Sequence, residues 1–243
     1  MDKSRNFLLR HADKGTWKID EDELNRKFSP GDSTIIQTAL SGETESPLKI
    51  EGLARSLKLA KTLYNLLPDK AVLLVMDSGK PRAVLTRELA TLKLDSLAKE
   101  GQKTIHMAEL DTGSLISELR DADASTWGPY DAMMTREKIS EEEALARWMT
   151  DMQKLDNETP EHPHESSNRY REIIKDIRTN ITSEETPIYF LGVGHSGALA
   201  QARMEDEKIE TAQISDVPEF CELFGFDDKG KLIETKKIEL ESN

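Results

Sequence analysis

The sequence predicts an α/β fold of three layers, α/β/α, with helices on both faces of a mostly parallel central sheet. Three observations carry that prediction. Continuous apolar runs of strand length, "NFLLR" (6–10), "AVLLVMD" (71–77) and "PIYFLGVG" (187–194), read as strands buried on both faces. Helical stretches alternate with them, which favours parallel pairing with crossover helices. At 243 residues, the chain is long enough to bury one large core.

Each element has its own signal. After strand 6–10, residues 18–47 read as a polar loop, broken by "FSPGDS" and "SGETESP". Residues 47–67 place Leu53, Leu57, Ala60, Leu63, Tyr64 and Leu67 at helical steps, and Pro68 stops the helix. Strand 71–77 leads to a helix over 82–101 that ends at Gly101. A short strand follows at 104–110. Residues 114–164 form an irregular region with Trp127, Tyr130, Met133, Met134 and Trp148. It contains one helix, 140–155, opened by a capping box from Ser140 to Glu143. A loop at 158–167 precedes a helix over 167–181. Strand 187–194 runs into helix 196–207, and 211–215 reads as a further strand. The end of the chain reads as a β-hairpin turning at Asp227-Asp228-Lys229-Gly230, with Cys221 as a small buried residue in its first strand. The organisation predicted is one domain over 1–243, with 114–164 as a capping insertion.

Composition narrows the partners. Acidic residues outnumber basic ones 46 to 33, a net charge of −13. That field repels nucleic acid and anionic membranes, and no basic run is long enough to override it. A phosphate site in such a chain has to rest on local arginines. The single cysteine allows no intrachain disulfide, which fits a reducing compartment. No apolar stretch reaches 18 residues, so a cytoplasmic protein is expected.

Two stretches carry chemistry. "FLLRHADKG" ends a core strand on Arg10-His11, where charged and titratable groups are costly to desolvate. "GVGHSGALA" (192–200) joins a strand to a helix and supports three readings. Gly192, Gly194 and Gly197 match a dinucleotide fingerprint with Asp216 about 20 residues on, but only 46 residues follow Gly197. Ser196 sits as in a hydrolase nucleophile elbow, but no histidine follows it in the chain. In the third reading, His195 is itself the chemical group, at a helix N-terminus that favours an anion. Arg10-His11 supplies its partners, because both histidines then lie at carboxyl ends of buried strands. His162 and His164 in "HPHE" make too small a set to read as a metal site, and no metal is expected.

The order of these pieces resembles the histidine phosphatase superfamily, also called phosphoglycerate mutase-like, in its larger branch. "LLRHADKG" resembles the family's strand ending in Arg-His-Gly. "LKIEG" (48–52) resembles its next helix start. "SGKPRAVLT" (78–86) matches Ser-x-x-x-Arg-Ala-x-x-Thr at every place. "ELDTG" (109–113) resembles Glu-x-x-x-Gly, Glu165-Ser166 a Glu-Ser pair opening a late helix, and "GVGHSG" the closing strand and histidine. The matches span about half the chain. Ala12 replaces a glycine and "SGKP" replaces a Ser-Pro-Leu start, departures that leave the substrate open. The resemblance implies hydrolysis of a phosphomonoester, on a small phosphorylated substrate or a phosphoprotein, with no cofactor. His11 is the nucleophile that forms a phosphohistidine. Arg10, Arg82 and His195 bind the phosphate. Glu109 is the general acid, with Asp13 in reserve. A mutase with the same intermediate and a non-catalytic phosphate-binding module are the alternatives.

Overall fold

The computed structural model describes residues 5–110, 119, 124–152, 163–181, 183 and 185–240. A six-stranded sheet forms its centre. The strands are β1 (Asn6–Arg10), β4 (Lys70–Asp77), β5 (Thr104–Glu109), β6 (Ile188–Gly194), β7 (Leu223–Phe226) and β8 (Leu232–Lys236), in the order β5-β4-β6-β1-β7-β8. Strands β5, β4, β6 and β1 are parallel, and β7 and β8 add an antiparallel hairpin beside β1. A separate two-stranded ribbon pairs β2 (Lys14–Lys18) with β3 (Glu45–Leu48).

Side-chain alternation divides the core into two faces. Phe7, Leu9, Leu73, Val75, Leu191 and Val193 point to one face, where they pack with α2 (Pro30–Ala39), α3 (Ile50–Leu66) and α4 (Pro81–Glu100). Leu8, Leu74, Met76, Ile188 and Phe190 point to the other, against α7 (Pro163–Asn180) and α8 (Ser196–Glu207). This is the three-layer architecture expected. A smaller cluster joins α6 (Glu141–Met152) to α8 through Leu145, Trp148, Met149, Ala200 and Met204. Trp148 therefore packs a core. Helix α5 (Ala124–Glu137) precedes α6; the side chains of Trp127 and Tyr130 lie outside the described residues, as does His162.

Several expectations are corrected. Residues 18–47 are not a loop: they hold α1 (Glu21–Lys27), α2 and the start of β3. Asp20 caps α1 by accepting from the Asp22 and Glu23 amides, and Ser29 caps α2, whose first residue is Pro30. "FSPGDS" is thus a helix start, where proline's missing N–H costs nothing. Residues 214–216 form a 3₁₀ turn rather than a strand. The helix predicted from 167 begins at Pro163. Cys221 is buried but sits in the turn before β7, with a left-handed φ of 59°. No helix among the described residues is long and apolar enough to cross a membrane.

Candidate active site

The parallel strands β1, β6 and β4 are adjacent, and their carboxyl ends deliver Arg10-His11, His195 and Ser78. Register explains why: Arg10 pairs with Gly194, and Asp77 with Val193, so the residues that follow all emerge at one edge. Backbone bonds hold that edge. His11 N–H donates to the Gly194 carbonyl at 3.1 Å, and Ser78 N–H to the Val193 carbonyl at 3.1 Å.

His11 is 3% exposed and His195 2%, with ring centroids 5.3 Å apart. Arg82, in the first turn of α4, donates from Nε to His11 Nε2 at 2.8 Å. A guanidinium only donates, so Nε2 carries no hydrogen. The proton is on Nδ1, which donates to the Ala12 carbonyl at 2.8 Å. Burial, then the nearby His195 ring and the Arg82 and Arg10 charges, outweigh the Ala12 bond and lower the His11 pKa to about 2. A buried, neutral imidazole with a bare nitrogen beside two guanidiniums has the chemistry to attack an electrophile that brings negative charge.

The neighbours are fixed in turn. Arg82 Nη2 lies 3.4 Å from His195 Nδ1, which makes that nitrogen the acceptor and leaves Nε2–H to donate to Ser78 Oγ at 2.9 Å. Thr86 Oγ1 donates to the Arg82 carbonyl at 2.7 Å and accepts from Ala12 N–H at 3.0 Å, which locks the first turn of α4 to the residue after His11. Tyr170 Oη accepts from His195 N–H at 3.0 Å; a Cβ on Gly194 would lie 2.2 Å from that oxygen. A Cβ on Gly52 would lie 2.7 Å from the Asp13 carbonyl oxygen, which explains the glycine in "LKIEG". The Gly-rich turn is therefore shaped by packing. Asp216 accepts from the Gln213 amide, three residues back along its own turn.

Arg10 is 2% exposed. Its Nη1 donates to the Pro218 carbonyl at 2.9 Å, and its guanidinium lies 4.0 Å from the Phe220 ring centroid. The loop bearing Phe220 is braced by Glu222, buried against Arg203, which itself lies over Phe224. Arg10 Nη2 also meets Glu141 Oε1 at 3.3 Å, and the other Glu141 oxygen pairs with Lys14.

The structure thus brings together Arg10, His11, Arg82 and His195. It places the carboxylates otherwise. Glu109 is 62% exposed and pairs with Arg87 at 3.0 Å, and Arg87 also holds Asp77 at 2.6 Å. Asp13 pairs with Arg55 at 3.0 Å. Sequence reasoning missed Phe220, Tyr170 and Glu141, which lie in no motif, and gave Ser78 no chemistry. Among the described residues, no group of three or more His, Cys, Asp or Glu is placed to hold a metal ion.

No family model and no curated protein matches this chain. Solved structures do. A protein described as mycobacterial hydrolase 1 is 16% identical, with a TM-score of 0.49 over 91% of this chain and 90% of its own. A phosphoserine phosphatase from Entamoeba histolytica, in complex with 3-phosphoglyceric acid, is 12% identical, with a TM-score of 0.48 over 96% of each chain. A mycobacterial glucosyl-3-phosphoglycerate phosphatase, in complex with vanadate (VO3), is 15% identical, with a TM-score of 0.45 over 96% of each chain.

Proposed function

We propose that this protein hydrolyses a phosphomonoester through a phosphohistidine on His11. One observation carries the proposal: the 2.8 Å bond from Arg82 Nε to the bare Nε2 of His11. It defines the nitrogen's tautomer and sets a phosphate-gripping fork beside the atom that attacks phosphorus. As a phosphoryl group enters, Arg82 and Arg10 turn their N–H groups to its oxygens, and the His11 lone pair is released in line with phosphorus. His195 contributes a further contact to the developing charge. A pure phosphate binder has no use for a neutral, desolvated nucleophile.

The organic part of the ester has a place to lie. A cavity of about 650 Å³ is lined by Gly79 and Pro81, between Ser78 and the first turn of α4 that carries Arg82. Leu40, Val84 and Leu85 line it together with Glu43, Glu45 and Glu88, so it suits a neutral or cationic group. Helix α6, within 114–164, acts as part of a cap in this reading, since it brings Glu141 against Arg10.

The test is an aryl phosphate assay at mildly acidic pH without added metal, with rapid quench into alkali to preserve an N–P bond. Turnover and a labelled protein are expected from wild type, and neither from His11→Ala. Wild type that binds phosphate yet neither turns over nor labels is a binding module. Phosphoryl exchange between isomeric substrates, faster than phosphate release, identifies a mutase.

A further inference from the structure

Phosphoryl transfer to His11 needs a proton for the leaving oxygen, and the site holds a carboxylate that no motif assigns. Three carboxylates compete for the role. Asp13 is drawn to Arg55 on α3. Glu109 is remote by register. It pairs with Val75, Val75 with Leu191, and Leu191 with Phe7. Glu109 is therefore level with Phe7, four residues short of His11, and three strands away, roughly 14 Å sideways and 13 Å along the strands. A glutamate side chain does not span that gap.

Glu141 does reach the site. Its Oε1 lies 3.3 Å from Arg10 Nη2, and its second oxygen pairs with Lys14. Ser140 Oγ caps the same helix start by accepting from Glu143 N–H at 3.1 Å. Glu142 stands behind, 4.0 Å from Arg10 Nη1. Burial pushes the Glu141 pKa up, but Lys14, then Arg10 and Arg82, overcome that and hold it below the usual carboxylate value. Without substrate, Glu141 is thus an anion resting on the cations that receive phosphate. A phosphate dianion arriving at Arg10 faces it directly. Two anions sharing one set of cations raise the carboxylate's proton affinity, so Glu141 takes a proton from solvent as the ester binds.

We infer that Glu141 is the proton-transfer residue of this site, donating to the leaving oxygen and then activating water. The inference rests on the hydrolase reading above. In the first step the His11 Nε2 lone pair forms the N–P bond and the P–O bond breaks. Its electron pair goes to the leaving oxygen, which takes the Glu141 proton and departs as the alcohol. In the second, the Glu141 carboxylate takes a proton from water as the water oxygen bonds to phosphorus. The N–P bond breaks, its pair returns to Nε2, and phosphate leaves.

The leaving group provides the test. A p-nitrophenolate leaves without a proton, whereas an alkoxide needs one. Glu141→Gln is expected to lower kcat/KM, which reports phosphohistidine formation alone, on an alkyl phosphate by about 10²–10⁴-fold and on p-nitrophenyl phosphate by less than tenfold. Inorganic phosphate should inhibit this variant more tightly, because a competing anion is gone. Glu141→Asp should recover part of the alkyl phosphate rate. Equal losses on both esters, or a leaving-group-dependent loss in Glu109→Gln instead, overturn the assignment while leaving the hydrolase reading intact. A wild type that forms no alkali-stable phosphoprotein overturns the hydrolase reading, and the assignment with it.

Discussion

The sheet edge at β1 and β6 and the N-terminus of α6 both face the same arginine, yet they are built differently. At the sheet edge, His11 is tied by its own N–H to Gly194, by its ring to Ala12 and through Ala12 to Thr86. His195 is tied to Tyr170 and Ser78. Main chain sits on one side of most of these bonds. Glu141, by contrast, meets the site only through side-chain charges, and 36% of its side chain is exposed. The difference separates two tasks. Groups that must be aimed before substrate arrives are fixed by backbone, so they need no reorganisation during reaction. A group that must change protonation as substrate binds is held by partners that can let go.

The comparison breaks most sharply at His11. His11→Asn should keep the fold and lose turnover by on the order of 10⁴-fold or more, with loss of the phosphoprotein label. Arg82→Lys keeps a positive charge but loses the Nε that fixes His11. A drop in kcat of about 10²–10³-fold is expected, since one aimed donor at a charge-developing site is worth that much. Lysine rescuing most of the activity would show that charge alone matters there.

A third effect appears in stability rather than rate. An unfolded histidine titrates near 6.5, whereas folded His11 stays neutral down to about 2, because burial and then His195, Arg82 and Arg10 oppose its charging. Below pH 6.5 the unfolded chain therefore takes up a proton that the folded chain refuses, and stability falls with pH until about 2. In denaturant melts, His11→Asn should lose about 2 kcal/mol less stability than wild type between pH 7.5 and 5.

How much of this was legible depended on where each residue's partners lay. Strands 6–10, 71–77 and 187–194 were readable because they are buried on both faces, which leaves an unbroken apolar run. Helices α1 and α2 were not, because α1 buries only Leu24 and α2 only Ser33 and Ile36, too thin a pattern to outweigh Ser-Pro-Gly-Asp-Ser. The strand expected at 211–215 had Ile214 as its anchor, and Ile214 is 53% exposed. In the site, Arg10, His11, Arg82 and His195 were visible as charged or titratable groups placed where local structure disfavours them. Glu141 sits comfortably at a helix start, where acids are common, and nothing local marks it. Its meaning comes from Arg10, 131 residues away in the chain.

Ser78 gives the smallest test and the finest one. Its hydroxyl is the acceptor for His195 Nε2–H, across 117 residues of sequence. The N-cap position of α4 is held by Lys80, two residues on. Ser78→Ala leaves the imidazole N–H without that oxygen in a buried setting, at a net cost of about 1 kcal/mol. If the bond only packs the loop, the loss appears in melting alone and kcat is unchanged. If it keeps Nδ1 of His195 as the acceptor toward Arg82, kcat should fall by about three- to tenfold, and Ser78→Thr, which keeps the hydroxyl, should restore it. Loss of rate with rescue by threonine would place the β4 end with the fixed half of the site. Loss of stability alone would confine that half to β1 and β6.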